Sequence, residues 1–200
     1  LNILIDDIVC PDQAEVSGNR YEIRTNFRTS ILFELMIQDD SLAGEKVWKA
    51  LNLYYPVLPD DLHAAVEAVL WFYRCGKEET TIQKRMAARR GKNQIYSFEH
   101  DAGYIYAAFL SAYGIDLQDI EYMHWWKFRF LFHALPKDTE FVRIMEYRSI
   151  DINDKMSKEQ KDFYKKMKRL YALPLSKAED DRQNAIENAL LNGGDLSGVL

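Results

Sequence analysis

The sequence predicts a mainly α-helical protein, a multi-helix bundle with a small N-terminal β-hairpin. Three observations carry that prediction. Apolar residues recur at spacings of three and four along most of the chain. Alternation around a short turn, the signature of strands, is convincing only within residues 1–25. The stretch 119–135, DIEYMHWWKFRFLFHAL, is apolar around most of a helical circumference, as expected of a helix walled in by several neighbours. Met123, Trp126, Phe130 and Ala134 form one arc on it, and Trp125, Phe128, Phe132 and Leu135 form another. Lys127, Arg129 and His133 interrupt them. Trp125, Trp126, Phe128 and Phe130 are the expected core signature.

The elements follow in order. Ala14-Glu15-Val16 and Tyr21-Glu22-Ile23-Arg24 flank Ser17-Gly18-Asn19-Arg20, a turn rich in residues that tolerate positive φ. Two strands alone are marginal in water, so the hairpin must lie on helices. A first helix begins near Thr25 or Asn26, both N-cap residues, with Phe27, Ile31 and Leu35 beside Leu32 and Met36 as its stripe. A second follows Ser41, carrying Val47, Leu51 and Tyr54. Pro56 and Pro59 break the pattern, and Pro59-Asp60-Asp61 starts a third helix with Leu62, Val66, Val69 and Tyr73 and, beside them, Ala65 and Phe72. Gly76 stops it.

Ser97 is read as the cap of a helix to Tyr113, with Phe98, Ala102, Ile105, Phe109 and Ala112 facing inwards, and Gly114 as its end. Ile115-Asp116-Leu117 leads to the aromatic helix, which Pro136 closes. Phe141, Ile144 and Met145 predict a shorter helix, and Arg148-Ser149-Ile150-Asp151 a connector. Ser157 and Gln160 form a capping box for a helix through Leu173, with Phe163, Met167 and Leu170 on one side and lysines elsewhere. Ser176 and Glu179 form a second box, before a final helix striped by Ala185, Ile186, Ala189 and Leu190.

Residues 77–94, KEETTIQKRMAARRGKNQ, interrupt this periodicity and are read as an exposed basic loop. The expected organisation is therefore 1–76, hairpin plus helices; 77–94, basic loop; and 95–200, a helical region built around the aromatic helix. One continuous domain is the alternative. Two hundred residues suffice to bury a core. A net charge of -5 argues against a dedicated nucleic-acid binder. Cys10 and Cys75 lack the number and spacing of a disulfide or metal framework and read as free thiols. No run approaches the roughly 18 apolar residues of a membrane span, and LNILIDDIV has no basic n-region. An intracellular protein without membrane contact is expected.

Searching for chemistry returns little. Glu99-His100-Asp101 with His124 is the sharpest polar cluster, but its spacing lacks a metal-binding pattern and suits a helix N-terminus with dipole-complementing acids. No GxSxG, P-loop or GxGxxG is present. Cys75 lies at a helix C-terminus, the wrong end for activating a thiolate. Neither catalytic, metal nor cofactor-binding residues are expected. The candidate partner-binding residues are basic: Lys84, Arg85, Arg89, Arg90 and Lys92 in the loop, and Lys165, Lys166 and Arg169 on the lysine-rich helix.

The strings ILIDDIV, NFRTSILFELMIQDD, LWFYRCGK, YSFEHDAGYIYAAFLSAYGIDLQDIEYMHWWKFRFLF, FVRIMEYRSIDI and NGGDLSG together resemble the bacteriophage gene-product-fifteen family. The resemblance runs nearly end to end, with the basic loop as its variable segment. It implies a protein of tailed phages and prophages of Gram-positive bacteria, encoded among tail morphogenesis genes near those of the tail tube and tape measure. It further implies a non-enzymatic factor acting in the cytoplasm of the bacterial host during assembly. The function expected from it is a tail assembly chaperone that binds the tape-measure protein, with the tail-tube protein as a further partner. A structural tail or connector protein of the virion is one alternative and a nucleic-acid-binding regulator another. Oligomeric state is left open, with a homo-oligomer compatible.

Overall fold

The computed structural model describes residues 10–39, 42, 44–77 and 94–174. The chain divides into two compact units, Leu1–Ser149 and Ile150–Leu200. The first holds β1 (Gln13–Val16), β2 (Asn19–Glu22), α1 (Phe27–Gln38), α2 (Lys46–Tyr54), α3 (Leu62–Tyr73), α4 (Ala102–Tyr113), α5 (Trp125–His133) and α6 (Glu140–Ser149); the second holds α7 (Lys158–Leu170). The architecture is mainly α with one antiparallel hairpin, in agreement with the sequence. Both flanks of the basic stretch belong to the first unit.

The hairpin turn is tighter than the sequence suggests. Only Ser17 (φ 49) and Gly18 (φ 82) join the strands, and two positive φ values are what a type I′ turn requires. Ala14 pairs with Tyr21 and Val16 with Asn19. Ala14 and Val16 are buried, where β1 packs on α3. The turn is tethered at its tip: Ser17 Oγ donates to Asp61 Oδ2 at 2.6 Å, and Asp61 Oδ1 accepts from the Ala64 N–H to cap α3.

Several helical faces differ from the apolar stripes. On α1 the buried residues are Phe27, Ser30 and Phe33, while Leu32 is exposed. A serine occupies the buried face because Tyr54 Oη donates to its Oγ at 2.8 Å, satisfying both groups out of water. On α2, Ala50, Leu51 and Tyr54 are buried and Val47 is exposed. On α3, Ala65, Val69 and Phe72 face inwards and Leu62 outwards. The N-terminal signal at Asp61 and the left-handed ends at Gly76 (φ 72) and Gly114 (φ 65) stand as read, with Cys75 (φ 57) also left-handed.

The aromatic helix is shorter than 119–135. Asp116 Oδ1 accepts from the N–H groups of Gln118 and Asp119 and holds 117–119 in a turn. The following residues stay non-helical, and α5 begins only at Trp125, with His124 as its N-cap. Opposite His124 lies Asn26, the N-cap of α1. Phe27 N–H donates to the Met123 carbonyl at 2.9 Å, and Trp125 N–H donates to the Thr25 carbonyl at 2.8 Å. Each helix thus satisfies its first orphan N–H with the carbonyl preceding the other's cap. Arg28 adds bonds to the carbonyls of Leu117 and Ile120 at 2.8 and 2.9 Å, fastening the turn beneath.

Around α5 the core is largely aromatic. The Phe128 ring is stacked between Phe27 (4.9 Å) and Phe109 (5.0 Å), and Phe132 meets Phe98 and Phe141. The indole N–H groups of Trp125 and Trp126 donate to the carbonyls of Tyr73 and Phe72, each at 2.8 Å. Those carbonyls lie in the last turn of α3, where the helical ladder runs out; the Phe72 carbonyl also accepts from the Cys75 N–H at 2.9 Å.

Two boundaries near α4 and α6 also move. Ser97 Oγ accepts from the N–H groups of Glu99 and His100, but the continuous helix starts at Ala102. Asp101 (φ -102, ψ 10) departs from helical geometry, and its carboxylate turns back onto the Ser97 N–H. That carboxylate also receives Arg148 in a bidentate pair at 2.6 and 2.9 Å, and the same guanidinium reaches the Ile95 carbonyl at 3.1 Å. Arg148 therefore belongs to the last turn of α6 and not to a connector. The predicted inward position Ala102 is exposed.

In the second unit, Ser157 and Gln160 form the capping box read from the sequence. The helix ends at Leu170, short of Leu173, and Phe163 and Leu170 are exposed. The box at Ser176 and the final helix read from Ala185, Ile186, Ala189 and Leu190 lie outside the described residues.

Two measurements test this framework. The side chains of Arg148 and Asp101 are only 9% and 2% exposed. Arg148→Met, which strands a buried carboxylate, is expected to cost about 3–5 kcal/mol in urea unfolding, with partial recovery on adding Asp101→Asn. Burial lowers the His124 pKa from its ordinary 6.5, keeping the ring neutral; Nδ1 accepts from the Trp126 N–H and Nε2–H donates to the Pro11 carbonyl. The unfolded chain then binds the extra proton first as pH falls through 6.5. His124→Asn keeps a cap but removes the titration, so its stability relative to the parent should rise between pH 7 and about 5. A constant difference across that range would refute the role given to His124.

Candidate functional site

Three features outside the packed core are candidates for function. The first is an apolar groove where α1, α2 and α3 meet. Phe33, Ile37, Val47, Leu51, Val66 and Leu70 line most of a cavity of about 120 Å³ that is open to solvent. Its outer edge carries Ile37 and Val47, both exposed, and Trp48 stands exposed beside Val47 on α2. Lys46 Nζ donates to the Ile37 carbonyl and closes one end. Exposed valine and tryptophan beside an unfilled apolar groove are the surface chemistry of a protein-binding site.

The second is a polar cluster set into the wall of the core. Glu34 of α1 accepts a hydrogen bond from Tyr73 at the end of α3. Arg129 of α5 donates to the Tyr96 hydroxyl at 3.3 Å and lies over the Trp125 ring at 5.3 Å. Burial raises the Glu34 pKa, and the bonds and charge from Tyr73, Arg129 and Tyr96 offset only part of it. Burial likewise pushes the Cys75 thiol up to about 11 despite the Arg129 and Lys77 charges, so it stays protonated at neutral pH. Tyr73 and Tyr96 are also raised, first by burial and then by the Glu34 charge. These are the properties of a partnered network that ties the end of α3 to α1, α5 and residue 96.

The third is the basic surface of α7. Lys165, Lys166 and Arg169 share one face with Asp162, as their three- and four-residue spacing dictates. The other predicted basic residues, Lys84, Arg85, Arg89, Arg90 and Lys92, lie outside the described residues. Of the core signature, Trp125, Trp126 and Phe128 are buried, and Phe130 is half-buried against the core. Glu99, His100 and His124 do not converge: Asp101 is committed to Arg148, and His124 to the α5 cap. Among the described residues, no group of three or more His, Cys, Asp or Glu side chains is placed to hold a metal ion. No described helix is long and apolar enough to cross a membrane.

The sequence missed the groove and the Glu34 network. By periodicity Val47 belongs to the inward stripe of α2, and nothing in the local pattern of Glu34 marks it as half-buried. A glutamate inside the apolar run ILFELMI was the one available signal.

Against known families, the model described as Bacteriophage Gp15 protein matches residues 4–173. The chain belongs to the bacteriophage Gp15 protein family. The match spans both units and includes every described helix. It places this Gp15-family chain among phage structural and morphogenesis proteins. No curated protein and no solved structure matches it.

The Glu34 network yields a signed pH dependence. A carboxyl whose folded pKa is raised binds its proton more tightly when folded, so stability rises as pH falls through that pKa toward the ordinary 4.5. Relative to Glu34→Gln, the parent protein should gain stability between pH 7 and about 4.5 in urea titrations. A parent that loses ground to the variant over that interval would mean that ion pairing outweighs burial at Glu34.

Proposed function

We propose that this protein is a tail assembly chaperone that binds the tape-measure protein during phage tail morphogenesis and works without catalysis. The observation that carries the reading is the family match over residues 4–173. The groove between α1, α2 and α3 supports it physically. A cavity of about 120 Å³ admits one or two aliphatic side chains, enough to anchor an apolar residue of a helical partner but too little for tight binding alone.

Such weakness suits a chaperone. A tape measure is long and offers many similar segments, so modest sites repeated along it keep it soluble yet yield to polymerising tube subunits. The tail-tube protein is the natural second partner in that exchange, and the host cytoplasm is the compartment in which it takes place. The basic residues Lys165, Lys166 and Arg169 on α7, together with Lys84, Arg85, Arg89, Arg90 and Lys92, are the proposed sites for steering an acidic partner surface.

Co-expression with the tape-measure gene of the same phage tests the proposal. The tape measure should move into the soluble fraction and co-purify with this protein. Val47→Asp, which puts a charge on the exposed groove edge without disturbing the buried face of α2, should reduce co-purification about tenfold. A tape measure equally insoluble with and without the protein would refute the reading.

A further inference from the structure

We propose that the free edge of β1 accepts an extended segment of a partner protein as a third, antiparallel strand. Among the described residues the sheet has two strands in the order β1-β2, so β1 has a described neighbour on one side only. Its alternation is fixed by the bond from the Ile23 N–H to the Asp12 carbonyl. In phase with that bond and with Gln13 opposite Glu22, Ala14/Tyr21 and Val16/Asn19 are the hydrogen-bonded pairs of the ladder. The N–H and C=O groups of Gln13 and Glu15 therefore point away from β2. No hydrogen bond among the described residues reaches them.

What lies beyond that edge makes it a seat. A groove of about 450 Å³ runs between Asp12, Gln13 and Glu15 on the strand side and Ala68 and Trp71 of α3 on the other. Ala14 and Val16 are buried where β1 packs on α3, so a strand added beside β1 directs every second side chain onto Ala68 and the half-buried indole of Trp71. Main-chain bonds to Gln13 and Glu15 supply affinity, and the groove under alternate residues supplies selectivity, as in other sheet-edge recognition.

The occupant follows from the same geometry. Edge to edge, a second copy presents its own β1, whose apolar residues Ala14 and Val16 are already covered by its own α3 and whose outer side chains are Gln13 and Glu15. Among the described residues, that edge of a second copy has nothing to fill the groove. A partner segment with apolar residues at alternate positions does. Asp12 and Glu15 against the single Arg20 leave the groove's rim net acidic, which favours lysine or arginine at the intervening positions. This surface is distinct from the α1–α3 groove, and the inference stands whether or not the tape-measure reading holds.

The test uses the full chain and a randomised twelve-residue peptide library selected on it. Selection should enrich peptides that alternate apolar and basic residues. For an enriched peptide, Glu15→Pro should weaken binding at least about tenfold, because it removes an outward N–H while leaving the β1-β2 ladder bonds in place. Ala68→Glu, which fills the groove with a charge, should do the same. Binding should slow hydrogen exchange at the Gln13 and Glu15 amides. Circular dichroism and urea unfolding of both variants establish that they fold. Failure to enrich any peptide, or enriched peptides that bind both folded variants as tightly as the parent, overturns the proposal. So does a concentration-dependent dimer abolished by Glu15→Pro, which assigns the edge to a second copy.

Discussion

The fold depends on a crossing of two chain segments far apart in sequence. At Asn26 and His124 the backbone makes a single antiparallel bridge, and each of those residues caps the helix that begins immediately after it. The first N–H groups of α1 and α5 are satisfied by each other's preceding carbonyls, at 2.9 and 2.8 Å. Helix starts normally leave such donors to water or to a local side chain. Here they can be buried, and His124 is only 4% exposed. The crossing fixes where both helices begin and brings Phe27 onto Phe128. A one-residue shift in either segment would rotate an aromatic face away from the core.

The same economy recurs at the other end of α5's contacts. The indole N–H groups of Trp125 and Trp126 meet the carbonyls that end α3, so two large side chains enter the core with no polar atom left unpaired. Arg24 does the equivalent for α2, donating to the carbonyls of Asn52 and Leu53 at 2.8 and 3.0 Å. Asp101 and Arg148 join the start of α4 to the end of α6 with a charged pair. A buried pair of this kind is weak evidence of stability in itself, since desolvating both ions costs nearly what their attraction returns. Its value is directional. A bidentate fork accepts one relative orientation of the two helix ends and excludes others.

The helical class, the hairpin and most caps were legible in the sequence because they are local. Asn26, Asp61, Ser157 with Gln160, and Gly114 each act within a few residues of themselves. What the sequence obscured was set by contacts across the chain. The 119–135 run reads as one helix by periodicity, yet Asp116 and the bridge to Asn26 withhold its first turn from helical form. Ser30 joins the buried face of α1 because its hydroxyl finds Tyr54, 24 residues away, while Phe27, Ile31, Leu35 and Met36 of the apolar stripe pack on the core and Leu32 does not. Arg148 looked like connector because nothing nearby in sequence announces Asp101. Of the candidate surfaces, the basic face of α7 was readable as helical spacing. The groove and the strand edge were not, since both are made by residues from elements that meet only in the fold.

A core so fully committed leaves binding to the periphery. Trp125, Trp126, Phe128 and Phe132 are each at most 3% exposed, and their polar atoms are spoken for. At the rim of the first unit lie the groove edge at Ile37 and Val47 and the outer edge of β1; the basic side of α7 belongs to the second unit. Each is small against the roughly 800 Å² per partner of a standard stable interface. Used singly, such sites release readily, and affinity has to come from several engaged together or from many copies acting along one partner. Rigidity then matters more than area. A site held by buried aromatic packing and satisfied caps loses little entropy on binding, so even a few contacts leave a usable surplus. The aromatic helix would contribute to the proposed binding by that route, fixing α1 and the end of α3 through its buried contacts while other residues touch the partner.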